Sequence, residues 1–130
     1  MSNLKEFDDI LIVGLGLIGG SIAKKIKEID YSANVYGFDE NLEILKEANS
    51  KDLVINDKEI DLKNSKNLLV IFCVPVLSFK KALNSVIKHL PSQNIIFTDT
   101  LSTKTEIFNA LSNEFSDILG NFVLSHPIAG

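Results

Sequence analysis

Gly14, Gly16 and Gly19 stand at G-x-G-x-x-G spacing, with Leu15, Leu17 and Ile18 between them. They follow the apolar run Ile10-Leu11-Ile12-Val13 and lead into Ile18, Ile22, Ile26 and Ile29, which recur at helical spacing. In that setting the first glycine allows a tight strand-to-helix turn. The second lets backbone approach a pyrophosphate, and the third permits close packing of helix on strand. A helix starting at Leu17 and Ile18 offers unpaired N–H groups and partial positive charge to phosphates. The turn therefore reads as a dinucleotide site, the alternative being a glycine-rich turn that binds nothing.

Asp39 lies twenty residues after Gly19 and ends the run Val35-Tyr36-Gly37-Phe38. A carboxylate there can accept hydrogen bonds from an adenosine ribose 2′-hydroxyl and would repel a 2′-phosphate. Glu40 and Asn41 behind it add no positive charge, and all thirteen basic residues of the chain are lysines. Without a guanidinium fork for a phosphate, NAD is expected rather than NADP. Capping the helix that begins near Asn41 is the other role open to Asp39.

Acid–base chemistry has one prominent candidate pair. Pro127 disfavours helical geometry at His126, which places that imidazole on an extended segment. Histidine is suited to taking the proton of an alcohol whose carbon gives up a hydride. Ser102 could hydrogen-bond the same hydroxyl or the imidazole and so fix its orientation. A surface-loop histidine and a helix-capping serine are the alternatives. No His, Cys and carboxylate residues cluster at metal-ligand spacing, and no metal is expected. Cys73, the sole cysteine, lies within the apolar run 68–74 and reads as a buried, inert thiol of a reducing compartment.

These residues need elements to hold them. The 130 residues are enough for one domain with a core, and 45% hydrophobic with 23% charged residues is ordinary for a globular chain. A net charge of −4 with no basic stripe argues against nucleic acid and anionic membrane as partners. No apolar run reaches the length of a membrane span, and the N-terminal residues lack a signal-peptide core. The chain is expected in the cytoplasm.

Strands are expected over 9–13, 34–38, a short 53–55, 68–74, 94–98 and 121–125. A helix after Pro75 carries the stripe Val76, Phe79, Leu83, Val86, Ile87 and Leu90, ends before Pro91, and has His89 in its last turn. Thr103 to Glu106 match a capping box opening another helix. The polar stretch from Asn56 to Asn67 reads as an irregular surface segment. Such alternation predicts an α/β fold, a doubly wound and mainly parallel sheet of Rossmann type, with strand order 3-2-1-4-5-6. Ligands then bind outside the carboxyl ends of the strands. The glycine turn, Asp39, Val74-Pro75, Asp99 to Ser102 and Ser125 to Pro127 all fall on that edge.

Taken together, Gly14 to Ser21, Phe38-Asp39, Phe72 to Pro75, Thr98-Asp99 through Lys104, and Ser125-His126-Pro127-Ile128-Ala129-Gly130 resemble the nucleotide-binding half of prephenate dehydrogenase. The H-P-I-A-G ending, one βα unit after an S-x-K segment, is the more specific part. The resemblance implies NAD-dependent oxidative decarboxylation of prephenate to 4-hydroxyphenylpyruvate, in tyrosine biosynthesis. It implies that His126 is the catalytic histidine engaging the ring hydroxyl and Ser102 an active-site serine. It also implies that Gly14, Gly16, Gly19 and Asp39 hold the dinucleotide. Leu101 stands where the family usually has glycine, and leucine does not adopt positive φ cheaply, so the loop before Ser102 departs from the family's pattern.

The family further implies a helical second domain that completes the substrate site and forms a homodimer. Prephenate carries two carboxylates, which proteins normally hold with arginines. These 130 residues are accordingly expected to bind NAD but to turn over prephenate poorly or not at all. Arogenate or a broader cyclohexadienyl substrate is the nearest rival within enzymes, and a non-enzymatic NAD-binding regulatory module the rival outside them.

Overall fold

The computed structural model describes residues 7–29, 31–55, 61–100, 109 and 122–123. Within them a parallel sheet is built from β1 (Asp9–Val13), β2 (Asn34–Phe38), β3 (Leu68–Phe72), β4 (Ile95–Asp99) and β5 (Phe122–Val123), in the order β2-β1-β3-β4-β5. Three α-helices connect the strands: α1 (Leu17–Glu28), α2 (Leu42–Ser50) and α3 (Phe79–Ile87), the last preceded by a 3₁₀ turn at Val76–Ser78.

The short strand expected at 53–55 is reduced to one parallel bridge between Ile55 and Tyr36, outside β2. Counting that bridge as a position, the observed sequence of strands is the expected 3-2-1-4-5-6. Among the described residues, β3 and β4 differ in their bounds from the pattern in the sequence. β3 stops at Phe72, paired with Val13, because β1 ends there and Gly14 turns away at φ +97°. The Cys73 N–H still reaches the Val13 carbonyl at 2.7 Å, but Val74 and Pro75 have left the sheet. β4 starts one residue late because Asn94 sits at φ 57°, a left-handed conformation that asparagine tolerates and a strand does not. It also runs one residue further, so Asp99 is its last residue and is buried, not a loop residue after it.

Successive side chains of β1 and β3 point to opposite faces, and both faces are covered. Leu11, Val13, Val70 and Phe72 pack with Phe97 against Phe79, Leu83 and Val86 of α3. Ile10, Ile12, Leu69 and Ile71 pack against Ala23 of α1 and Leu45 and Ala48 of α2. Helices thus flank the sheet on both sides, the doubly wound arrangement expected. Phe72 meets Phe79 edge-on with ring centroids 5.0 Å apart.

α1 buries a different stripe from the one its isoleucines suggest. Gly19 and Ala23 are its buried residues, with Ile22 and Ile26 packed partly against the core, whereas Ile18 and Ile29 are more than half exposed. At Gly19 the helix lies so close to the turn after β1 that a side chain there would meet the Gly14 carbonyl. The segment 61–67 is not wholly surface: Leu62 is buried, and its N–H donates to the His89 carbonyl at 2.8 Å. His89 lies just beyond α3 and serves that junction through its backbone, its own N–H donating to Val86. The capping box at Thr103 to Glu106 lies outside the described residues, where only Asn109 is seen, in helical conformation. No helix among the described residues is long and apolar enough to cross a membrane.

Candidate functional site

The glycine turn is held by backbone constraints that explain two of its three glycines from within the protein. Gly14 takes positive φ, and a Cβ there would approach the Cys73 carbonyl group at 2.9 Å. Its N–H donates to the Phe38 carbonyl at 2.8 Å, joining the turn to the end of β2. A Cβ on Gly19 would collide with the Gly14 carbonyl. Gly16 is different, since a Cβ there would meet no heavy atom within 4 Å. Nothing in the described fold requires glycine at position 16, and the open side is what close approach of a ligand to backbone requires.

Gly16 is also the residue preceding α1. No side chain caps that helix start and no acidic residue lies in its first turn, while Lys25 and Lys27 complement the dipole at the other end. The first-turn N–H groups are therefore left for an external acceptor such as a phosphate. The open Gly16 and the uncapped helix start fit the pyrophosphate of a dinucleotide.

Asp39, half-buried at the end of β2, faces this turn. One carboxylate oxygen, Oδ2, accepts from the Leu15 N–H at 2.8 Å, and the other, Oδ1, accepts from the Asn41 N–H at 2.9 Å. The cap of α2 is Asn41, whose Oδ1 accepts from the N–H groups of Glu43 and Ile44. Asp39 therefore does not cap the helix; it ties the glycine turn to the start of the loop after β2. Two bonds leave lone pairs on the carboxylate for further donors.

Gly14, Gly16, Asp39, Val74 and Pro75 line one cleft of about 540 Å³ at the carboxyl ends of β1, β2 and β3. Five of the ten candidate site residues thus come together. Gly19 lies beneath the turn and does not line the cleft. Leu17 and Ile18 stand at the start of α1 with their side chains exposed and outside that cleft. His126 and Ser102 lie outside the described residues.

The cleft lining also includes residues not expected to bind there, among them Glu40 and Cys73. Glu40, next to Asp39, lines the cleft, and its carboxylate pairs with the Lys81 ammonium of α3 at 3.4 Å. Cys73 lines it too, at the point where the chain leaves β3. Burial pushes the Cys73 thiol up to about 11, a hydrogen bond with Thr100 opposes this, and the nearby Asp99 carboxylate adds to it. The thiol stays protonated at neutral pH, so it contributes surface and no nucleophile.

Comparison with known proteins bears on this edge directly. Residues 22–130 match the family model for the prephenate dehydrogenase nucleotide-binding domain. The chain is 31% identical over 121 residues to the prephenate dehydrogenase of Lactococcus lactis, covering 93% of this chain and 34% of that protein. It is 31% identical over 127 residues to the cyclohexadienyl dehydrogenase of Zymomonas mobilis, covering 95% and 42% respectively. Among solved structures it resembles prephenate dehydrogenase from A. aeolicus, in complex with hydroxyphenyl propionate and NAD+. That match has a TM-score of 0.77 at 26% identity and covers 95% of this chain and 42% of the other. The chain therefore spans well under half the length of the relatives it matches.

Proposed function

Since the chain belongs to the prephenate dehydrogenase nucleotide-binding domain family, we propose that it is the NAD-binding half of an enzyme that oxidatively decarboxylates prephenate to 4-hydroxyphenylpyruvate. The observation that carries this reading is the pairing of an open Gly16 and an uncapped α1 with Asp39 across one cleft. NAD rather than NADP follows from the carboxylates of Asp39 and Glu40 and from the lack of any cation among the described lining residues. The NAD+ bound to the A. aeolicus relative supports a dinucleotide in this position.

When bound, the nicotinamide supplies a hydride acceptor. The first-turn N–H groups of α1 would hold the pyrophosphate, and Asp39 would accept from the ribose hydroxyls. Val74 and Pro75 would bound the cleft on the β3 side. His126 would take the proton of the ring hydroxyl as its carbon loses hydride, and Ser102 would fix the orientation of hydroxyl or imidazole. The carbonyl so formed leaves a ring that becomes aromatic when the carboxylate departs as carbon dioxide, so the protein must orient and deprotonate more than activate. Leu17, Leu42 and Leu77 are strongly exposed on the same edge of the sheet, which supports a reading in which a further domain completes the substrate site. A homodimer through that domain and a cytoplasmic setting belong to the same proposal.

The test is the full-length protein, assayed for nicotinamide reduction with prephenate and with arogenate. Prephenate turnover with NAD is expected, and His126→Asn should lower kcat by ~10²–10⁴-fold with little change in NAD affinity. Equal loss of NAD affinity would make His126 structural. The likeness to a cyclohexadienyl dehydrogenase favours arogenate as the second substrate to try; turnover of arogenate alone would move the assignment to it.

A further inference from the structure

Asp39 accounts for one of two carboxylates at the ribose end of the cleft. Glu40 is the other, and it is not simply a second negative charge. It follows β2, while its partner Lys81 belongs to α3, which follows β3. Their contact at 3.4 Å therefore joins two separate elements beside the cleft that Glu40 lines. Both side chains are largely exposed, at 66% for Glu40 and 76% for Lys81. An exposed pair of this kind adds little to folding stability. Its position gives it another use.

We propose that Glu40 and Lys81 form a selectivity clasp, in which Glu40 occupies the Lys81 ammonium and so withholds it from a ribose 2′-phosphate. This rests on the reading of the cleft as an NAD site. Among the described lining residues there are two carboxylates and no lysine, and Lys81 pairs with one of those carboxylates from outside the lining. A 2′-phosphate beside Asp39 carries more negative charge than a single carboxylate and would compete for that ammonium. With Glu40 present it must first break the pair, and it then meets the carboxylate that the broken pair leaves behind. Discrimination against NADP is thereby shared between direct repulsion at Asp39 and sequestration of the Lys81 ammonium by Glu40. The pair's exposure limits its strength and makes it sensitive to salt.

Calorimetric titration of NAD+ and NADP+ into the chain and into Glu40→Gln, Lys81→Met and the double variant tests this. Glutamine keeps the side-chain length but releases Lys81. Glu40→Gln should tighten NADP+ relative to NAD+ roughly two- to fivefold, the range an exposed ion pair permits. The gain should vanish in the double variant. A gain that persists without Lys81 overturns the clasp and leaves Glu40 acting by repulsion alone, and no gain in Glu40→Gln overturns it outright. Unmodified chain that binds NADP+ as tightly as NAD+ would overturn the NAD reading and the clasp together. Preference for NAD+ in the unmodified chain with an unmoved ratio in Glu40→Gln would overturn the clasp alone.

Discussion

Asp39 receives the Leu15 and Asn41 N–H groups on separate oxygens, which means its carboxylate is oriented before a ribose arrives. Two consequences follow for substitution. Asp39→Ala should weaken NAD+ by roughly 1.5–3 kcal/mol, the range for hydrogen bonds to a charged group, and narrow the gap to NADP+. Asp39→Asn keeps one acceptor oxygen for the turn, so calorimetry should show a smaller loss of NAD+ affinity. Unchanged affinity for both dinucleotides in Asp39→Ala would remove the residue from the ribose site. At Cys73 the expectation concerns pH. A thiol raised from 9.0 to about 11 in the folded chain binds its proton over a range where the unfolded chain has lost it. Folding stability therefore falls as pH rises from 9 toward 11. Alkylation by iodoacetamide should be slow at neutral pH, accelerate only well above 9, and be slowed by NAD+, because Cys73 lines the cleft. Fast alkylation at neutral pH would contradict the burial argument. The place of Asp39 at the cleft was legible from its distance to the glycines. The apolar neighbours of Cys73 suggested full burial, whereas the structure leaves it part-exposed on the cleft. The tie from Asp39 to Leu15 and the pairing of Glu40 with Lys81 were not legible. Both join residues far apart in sequence, and only the packed elements bring them together.

The glycine turn separates structural from binding roles within one element. Gly19→Ala should destabilise the fold, by about 1–3 kcal/mol for an overpacked contact, because the new methyl meets the Gly14 carbonyl. Gly16→Ala should leave thermal unfolding almost unchanged yet lose most of the dinucleotide affinity, since its methyl would fill open space beside α1. A Gly16→Ala chain that binds as before would show that no ligand approaches that backbone. Other elements show how far periodicity carries. β1 and β2 match their expected bounds because a glycine turn and an aspartate end them in the sequence itself. β4 shifted by one residue because Asn94 adopts a left-handed conformation, an option that asparagine has but does not always take. α1 has two small residues on its buried face, and hydrophobic spacing gives those no weight. The strand expected at 53–55 survives as a single bridge beside Tyr36, at the sheet's exposed edge, where little pairing is demanded.

At the scale of the molecule, one edge of the sheet gathers the glycine turn, Asp39, the cleft behind β3 and Asp99 at the end of β4. That convergence follows from parallel order alone: every strand ends on the same side, so every loop that follows one is available to a single ligand. The α/β alternation in the sequence was therefore enough to anticipate a cleft on this edge. Local pattern does not specify which side chains enter the cleft, and Leu17 and Ile18 turn outward there. The relatives are more than twice as long as this chain, and on the proposed reading these residues contribute cofactor binding and only part of the substrate site. The 130 residues should accordingly bind NAD+ and reduce little or none of it with prephenate, and robust turnover by them would refute that division. The most direct test of the account is calorimetric titration of this chain with NAD+ and NADP+, beside Gly16→Ala as a folded control. Saturable binding at one site per chain, tighter for NAD+ and lost in Gly16→Ala with unfolding unchanged, is the predicted result. A folded chain that takes up neither dinucleotide would contradict it.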